Sequence, residues 1–323
     1  MHVLLIADIE GIFGVYDFSN MEKSSRLYTQ EIEVCIKALQ ANGVEKITVC
    51  DAHDAGNLID PQITNIGTLD EHEVKLVSRV DGISFDSTYD FAILVGFHGM
   101  SESRGILSHT LRYDFKEIAV INPQYSNAIP IGEVELYTRW LGSYGIPVVL
   151  VVGDREATYE ANCFNPYRHT CCVKSYYQVN SFDAESLYYK LSQSIYYAMK
   201  LDKKLCISPD DSELLIEFYN ADVAESLVAR GYKKRGRQIL FTNCAGLVNE
   251  LYILIEHLKQ LNQEIWETNV AFLKDVRVLA QSLKREDLEK SEVASLLEKN
   301  LLSLDQFSRE KIMEKIQALK AAS

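Results

Sequence analysis

Three apolar runs in the first hundred residues each stop abruptly at an acid or a histidine, and this repeated ending constrains the fold more than any other feature. Leu4-Leu5-Ile6-Ala7 runs into Asp8-Ile9-Glu10-Gly11, Thr48-Val49-Cys50 into Asp51-Ala52-His53-Asp54, and Ile93-Leu94-Val95-Gly96-Phe97 into His98-Gly99. Between them lie segments with helical spacing of apolar residues, and such alternation is the mark of βαβ units and a largely parallel sheet. Strands are therefore expected at 2–7, 46–50, 91–97, 118–121 and 146–152. Residues 25–41 carry Leu27, Ile32, Cys35, Ile36 and Leu39 on one helical face and end at Gly43, a left-handed stop. A second helix is expected at 130–144, with Pro130 in its first turn and Gly145 after its end.

From about residue 172 the pattern becomes strand at 173–179, helix at 184–199, strand at 213–219, helix at 221–230, strand at 238–244 and helix at 247–260. The stretch 264–323 has no Gly or Pro and is rich in Leu, Glu, Lys and Ala, so it is expected to be helical. The expected fold is α/β: a mostly parallel sheet with flanking helices, a smaller α+β domain and a helical C-terminal extension. The corresponding divisions are 1–171, 172–263 and 264–323. In the extension, Val278, Leu279, Leu283, Leu288, Val293, Leu296, Leu297, Leu301, Leu302, Leu304 and Phe307 are interspersed with charges. Amphipathic helices of this kind need a surface on which to bury one face, on their own domain or on a neighbouring subunit.

A formal charge of −13 on 323 residues argues against nucleic acid and anionic membranes as partners, because both require a basic face. The local basic run Lys233, Lys234, Arg235 and Arg237 reads as a solvated turn before a strand. No stretch approaches the roughly 18 to 20 apolar residues of a membrane helix. The seven cysteines are odd in number, lie mostly inside apolar runs and form no C-x-x-C pair, which suits reduced core residues of a cytoplasmic protein.

The candidate chemistry sits where the strands end. Asp8 and Glu10 are two apart in extended backbone and project to one side, beyond the strand's carboxyl end, which is the ligand edge of an open α/β sheet. Alone, such a pair is as readily a solvated or capping couple. His53 and His98, at the carboxyl ends of two further strands, point to the same crevice, and two imidazoles converging with two carboxylates suit zinc or manganese. Glu133, after Gly132, either closes this set or is a first-turn Glu favoured by the helix dipole. His109, in Gly105-Ile106-Leu107-Ser108-His109-Thr110, either turns back toward the crevice or is an ordinary core or surface histidine.

These residues together resemble a known family, the zinc D-aminopeptidases of the dipeptide-transport-associated type, peptidase family M55. The resemblance rests on Asp8-x-Glu10-Gly11, Asp51-x-His53, Val95-Gly96-Phe97-His98, Gly105-x-Leu107-Ser108-His109 and Gly132-Glu133 followed by Tyr144-Gly145-x-Pro147-Val148, in order over residues 1–160. It implies a hydrolase that removes an N-terminal, D-configured amino acid from a short peptide or amino-acid amide. It implies two zinc ions per chain, with Asp8 bridging and Glu10, His53, His98 and Glu133 completing the centre. It also implies a ring-based homo-oligomer such as a decamer, and a catalytic His109, described in the family as a nucleophile. On chemical grounds a metal-activated hydroxide is the better attacking group, leaving His109 to stabilise the oxyanion or carry a proton to the leaving amine. The segment 122–130, the missing Ser-Arg after Val173-Lys174 and the long tail depart from the family pattern and bear on substrate, not metal.

Two other readings are open at this point. Asp8-x-Glu10-Gly11 and Gly153-Asp154 superficially fit a haloacid-dehalogenase-like phosphatase, which uses magnesium and needs no histidines. A catalytically inactive, metal-stabilised interaction protein with an acidic helical tail is the alternative outside enzymes.

Overall fold

The computed structural model describes all residues except 55, 68–71, 86–88, 113, 122–126, 176–182, 281–303 and 323. Its described elements are, in order, β1 (His2–Ala7), α1 (Met21–Ala41), β2 (Lys46–Asp51), β3 (Glu73–Ser78), β4 (Phe91–Phe97), β5 (Phe115–Ile121), β6 (Ala128–Ile131), α2 (Glu133–Ser143), β7 (Val148–Asp154), α3 (Arg155–Phe164), β8 (His169–Lys174) and α4 (Ala184–Ala198). Then follow β9 (Leu214–Phe218), α5 (Ala221–Ala229), β10 (Lys233–Arg235), β11 (Gln238–Phe241), α6 (Cys244–Ala280) and α7 (Gln306–Ala322).

Six strands form a sheet in the order β3-β2-β1-β4-β7-β8, with every neighbouring pair parallel. Its central strands are apolar at successive positions because helices cover both faces. Leu4, Leu5, Ile6, Ile93, Leu94 and Val151 are all fully buried. On one face, Val3, Leu5, Ala7, Val49 and Val95 pack into a single core with Ile32, Cys35, Ile36 and Leu39 of α1 and Leu187, Leu191 and Ile195 of α4. Asn20 caps α1 by accepting from Lys23 N, and Gly43 takes the positive φ that stops it. The helix thus begins four residues earlier than its apolar spacing indicates.

Other expectations needed revision. The segment 118–121 is a strand, but β5 lies in a second sheet of order β10-β11-β9-β5-β6, antiparallel to β6. An apolar run reveals a strand and not its partner. Pro130 does not open a helix: it sits in β6, the outermost strand of that sheet, where a missing N–H is tolerated, and α2 starts at Glu133. The edge strand β3 was not anticipated, since its half-exposed sequence Glu-Val-Lys-Leu-Val-Ser breaks the fully apolar pattern. The strand expected at 173–179 is β8, which starts earlier and joins the first sheet; residues 176–179 lie outside the described residues. The basic run is itself a strand, β10, turned into β11 through Gly236 at φ 64°, with its side chains exposed.

The chain divides into two compact units, one of Met1–Tyr113, Glu117–Leu214 and Thr242–Asn249, the other of Asp114–Lys116, Leu215–Phe241 and Glu250–Ser323. Within the second, Asn262 Nδ2 donates to Asp114 Oδ2 at 2.9 Å and Arg309 pairs with Asp222 at 2.7 Å. Both described ends of the extension are helical, and Leu304 between them is buried. The extension's Leu283, Leu288, Val293, Leu296, Leu297, Leu301 and Leu302 lie outside the described residues. No described helix is long and apolar enough to cross a membrane.

Candidate metal centre

The carboxyl ends of β1, β2 and β4 are adjacent in the sheet, so the residues following them meet at one edge. Asp8 and Glu10 leave β1, His53 follows β2 and His98 follows β4; Glu133 opens α2, and His109 stands in the loop after β4. All but half-buried His53 are buried, Glu10 and His98 almost completely. Close approach of the loops requires Gly11, where a Cβ would come 1.8 Å from the carbonyl oxygen of Phe97.

All six residues are brought together. Asp8 divides its oxygens: Oδ1 is 3.2 Å from His53 Nδ1, and Oδ2 is 3.4 Å from His98 Nε2. His53 Nδ1 is also 3.0 Å from Glu10 Oε2, and His98 Nε2 is 3.5 Å from Glu133 Oε1. His109 stacks on His98 with ring centres 4.3 Å apart, and its Nε2 lies 3.9 Å from Glu10 Oε1. Three triads with ligand atoms within 4.8 Å of one another, Asp8-Glu10-His53, Asp8-His98-Glu133 and Glu10-His98-His109, could each hold a cation, and the first two share Asp8.

The protonation pattern points the same way. His98 Nδ1 lies 3.0 Å from the Gly99 carbonyl and His109 Nδ1 2.8 Å from that of Leu107, contacts that only an N–H can satisfy. In the neutral rings Nε2 then carries the lone pair. For His98 that lone pair faces two carboxylates, and His98 Nε2 and Glu10 Oε2 are buried without a hydrogen bond. Acceptors aimed at acceptors in a buried site need a cation between them, a proton or a metal. With protons alone, burial works to lower His53, but Asp8 and Glu10 outweigh it and raise the ring to about 11. Burial likewise opposes the ionised Asp8, yet His53 and His98 hold its carboxyl well below the ordinary range. Glu10 is pushed up by burial and then by Asp8. The donor set, three carboxylates and three imidazoles, fits a divalent transition metal.

Neighbouring residues have other work. Asp51 accepts from Leu58 N, Ile59 N and Tyr28 Oη, fixing the loop after β2 instead of facing the cluster. Asp154 caps α3 through Ala157 N and also accepts from Gly99 N, so it supplies no second carboxylate of the kind a phosphatase would need. His2 meets Thr48, and His72 meets the Val44 carbonyl. Buried Lys174 was not assigned a role from sequence. Its Nζ donates to the carbonyls of Glu10 and Val15, and burial pulls its ammonium down to about 8. Glu31, buried on α1, accepts from Phe13 N in the same loop. A polar residue at the end of the apolar run Cys171-Cys172-Val173 was the available signal for Lys174; nothing in the sequence marks Glu31. A cavity of about 420 Å³ is lined by residues 104–106, 154–156 and 174–175, at the carboxyl ends of β7 and β8.

A parallel α/β sheet with such a cluster at its ligand edge has the build of a metal-dependent hydrolase. The model of peptidase family M55, described as D-aminopeptidase, matches residues 1–243, and the chain belongs to that family. A D-aminopeptidase of Bacillus subtilis (strain 168) is 29% identical over 238 residues, covering 70% of this chain and 84% of its own length. The solved structure of the "Zn-dependent D-aminopeptidase DppA from Bacillus subtilis, a self-compartmentalizing protease" shares the fold with a TM-score of 0.67 and 23% identity, over 79% of this chain and 97% of that one.

Proposed function

We propose that this protein is a zinc-dependent aminopeptidase that removes an N-terminal residue of D configuration from short peptides or amino-acid amides. The observation that carries the reading is the pair of triads sharing Asp8, with the His98 lone pair turned toward carboxylates. Asp8 would bridge two ions, with Glu10 and His53 on one side and His98 and Glu133 on the other. The two triads that share Asp8 support two ions over one. Imidazole with carboxylate suits zinc and manganese alike, and the Zn-dependent relative favours zinc.

Bound there, divalent ions supply acidified water and a polarised scissile carbonyl. The chain's own contribution is to hold that chemistry in a dry, fixed frame. His109 Nδ1–H is tied to the Leu107 carbonyl, so Nε2 is its working atom. It takes a proton from the attacking water and delivers it to the leaving amine. A nucleophilic His109 would instead place the acyl group on Nε2 and require a second hydrolytic step. The cavity beside the 104–106 segment offers room for the part of the substrate beyond the scissile bond.

The relative described as self-compartmentalizing supports a ring-based homo-oligomer, and seven unpaired cysteines suit the reducing cytoplasm. Metal-stripped protein reconstituted with zinc should hydrolyse D-aminoacyl amides and D-dipeptides in preference to their L counterparts. Two bound zinc ions without amide hydrolysis would favour the inactive interaction protein instead.

A further inference from the structure

Helix α2 begins with Glu133 but has no capping side chain of its own, because its N-cap is Gly132. The leading N–H groups of a helix need acceptors, and here two of them find one on another helix. Glu160 of α3 is 3% exposed, and its Oε1 accepts from Gly132 N at 2.8 Å and from Glu135 N at 3.0 Å. These two donors flank Glu133 in the chain. The same contact favours glycine: a Cβ on residue 132 would stand 2.4 Å from Glu160 Oε2, and 2.9 Å from Met100 Cβ. Glu133 is fixed from its other side as well, since its Oε1 accepts from Leu111 N at 2.8 Å.

We infer that Glu160 is a positioning residue for Glu133: by capping α2 from α3 it sets where the helix starts, and so where Glu133 meets His98 and Asp8. This rests on the reading that Glu133 holds a metal. A carboxylate at a helix N-terminus is also favoured by the peptide dipoles, which offsets part of the cost of burying it. Gly132 and Glu160 thus form one device, with the space left by the missing side chain filled by the carboxylate that replaces a cap. Among the described residues only the backbone N–H groups of Gly132 and Glu135 donate to Glu160, and burial first, then the neighbouring carboxylates, push its carboxyl up to about 7.

The test is a zinc titration of chelator-stripped, full-length protein, followed by calorimetry, with hydrogen exchange at Gly132 and Glu135. E160A should weaken one of the two zinc equivalents by about ten- to a hundredfold, the scale for losing a partner behind a metal ligand. Exchange at those two amides should accelerate. E160Q, which keeps the Oε1 acceptor, should restore both, whereas a role for the charge alone predicts no rescue. E133A should lose the same equivalent; if it does not, the metal reading fails, and Glu160 with it. Wild-type zinc affinity in E160A, alongside loss in E133A, would overturn the Glu160 proposal alone. Should E160A fold poorly, G132A carries the test, because its methyl must displace the carboxylate: the same weakened equivalent supports the proposal, and unchanged affinity overturns it.

Discussion

Glu133 and Glu135 stand two residues apart in the first turn of α2, both buried, in opposite electrostatic settings. Glu135 meets cations built into the chain: Oε1 receives Arg139 Nε at 2.7 Å, and Oε2 lies 3.7 Å from Arg168. Arg168 also donates to Thr138 at 3.2 Å and to Ser208 at 2.8 Å. Glu133 instead joins Asp8 and Glu10 around imidazoles, with no Lys or Arg ion pair to any of the three among the described residues. A buried carboxylate is tolerable only with a compensating positive charge. The Glu135 network holds guanidinium groups in contact, while the Glu133 cluster has only imidazoles in contact and would take a proton or a metal. This contrast separates a structural ion network from the proposed metal centre better than burial or perturbed titration, since both regions show those.

The contrast is broken most severely at Asp8. D8A should lose both zinc equivalents, since Asp8 faces both triads, and hydrolysis should fall by far more than the roughly hundredfold of an outer-shell change. Retention of both ions in D8A would remove the bridging role. Next is H109A, which should keep two zinc ions while slowing turnover by at least about a hundredfold, the scale of a positioned acid or base. Loss of metal with activity would move His109 into the ligand set.

These residues were largely legible in the sequence, for a physical reason. A ligand edge is built where apolar strands stop, so Asp8, Glu10, His53 and His98 announce themselves by interrupting buried runs. Glu133 and His109 carry no such mark; a first-turn Glu and a loop His are common, and only their place in the family pattern singled them out. Sheet partnership was not legible, because the apolar run 118–121 of β5 marks a strand as the runs of the first sheet do, without saying that it pairs with β6 in a second sheet. The role of the supporting layer was hidden for the same reason: Lys174, marked only as a polar residue ending an apolar run, is 164 residues from Glu10, whose carbonyl it binds, and Glu160 is 28 from Gly132.

The self-sufficient network supplies a complementary test. R168M leaves Glu135 short of a cation and should cost about 3 to 5 kcal/mol of stability, the range for breaking a buried pair, with zinc stoichiometry unchanged. A change in bound zinc would show that the two regions are not independent. The smallest effect concerns Glu31, a buried carboxylate whose Oε1 lacks a partner and whose carboxyl burial pushes up to about 7. Because its folded value lies above the unfolded one, ionising it destabilises the native state as pH rises from about 4.5 to 7. E31Q, which keeps an acceptor for Phe13 N, should therefore gain melting temperature relative to wild type across that window and hold the gain above it. The difference should be on the order of a few kcal/mol at most. A pH-independent difference would contradict the assignment.

The central claim is that the Asp8 cluster takes its positive charge from two catalytic metal ions. The direct measurement is the rate of D-aminoacyl amide hydrolysis against zinc bound per chain, as chelator-stripped protein is reconstituted in steps. The account predicts negligible rate without metal and a rise to a plateau at two equivalents. Activity undiminished in the stripped protein, or no zinc bound at any step, would contradict it.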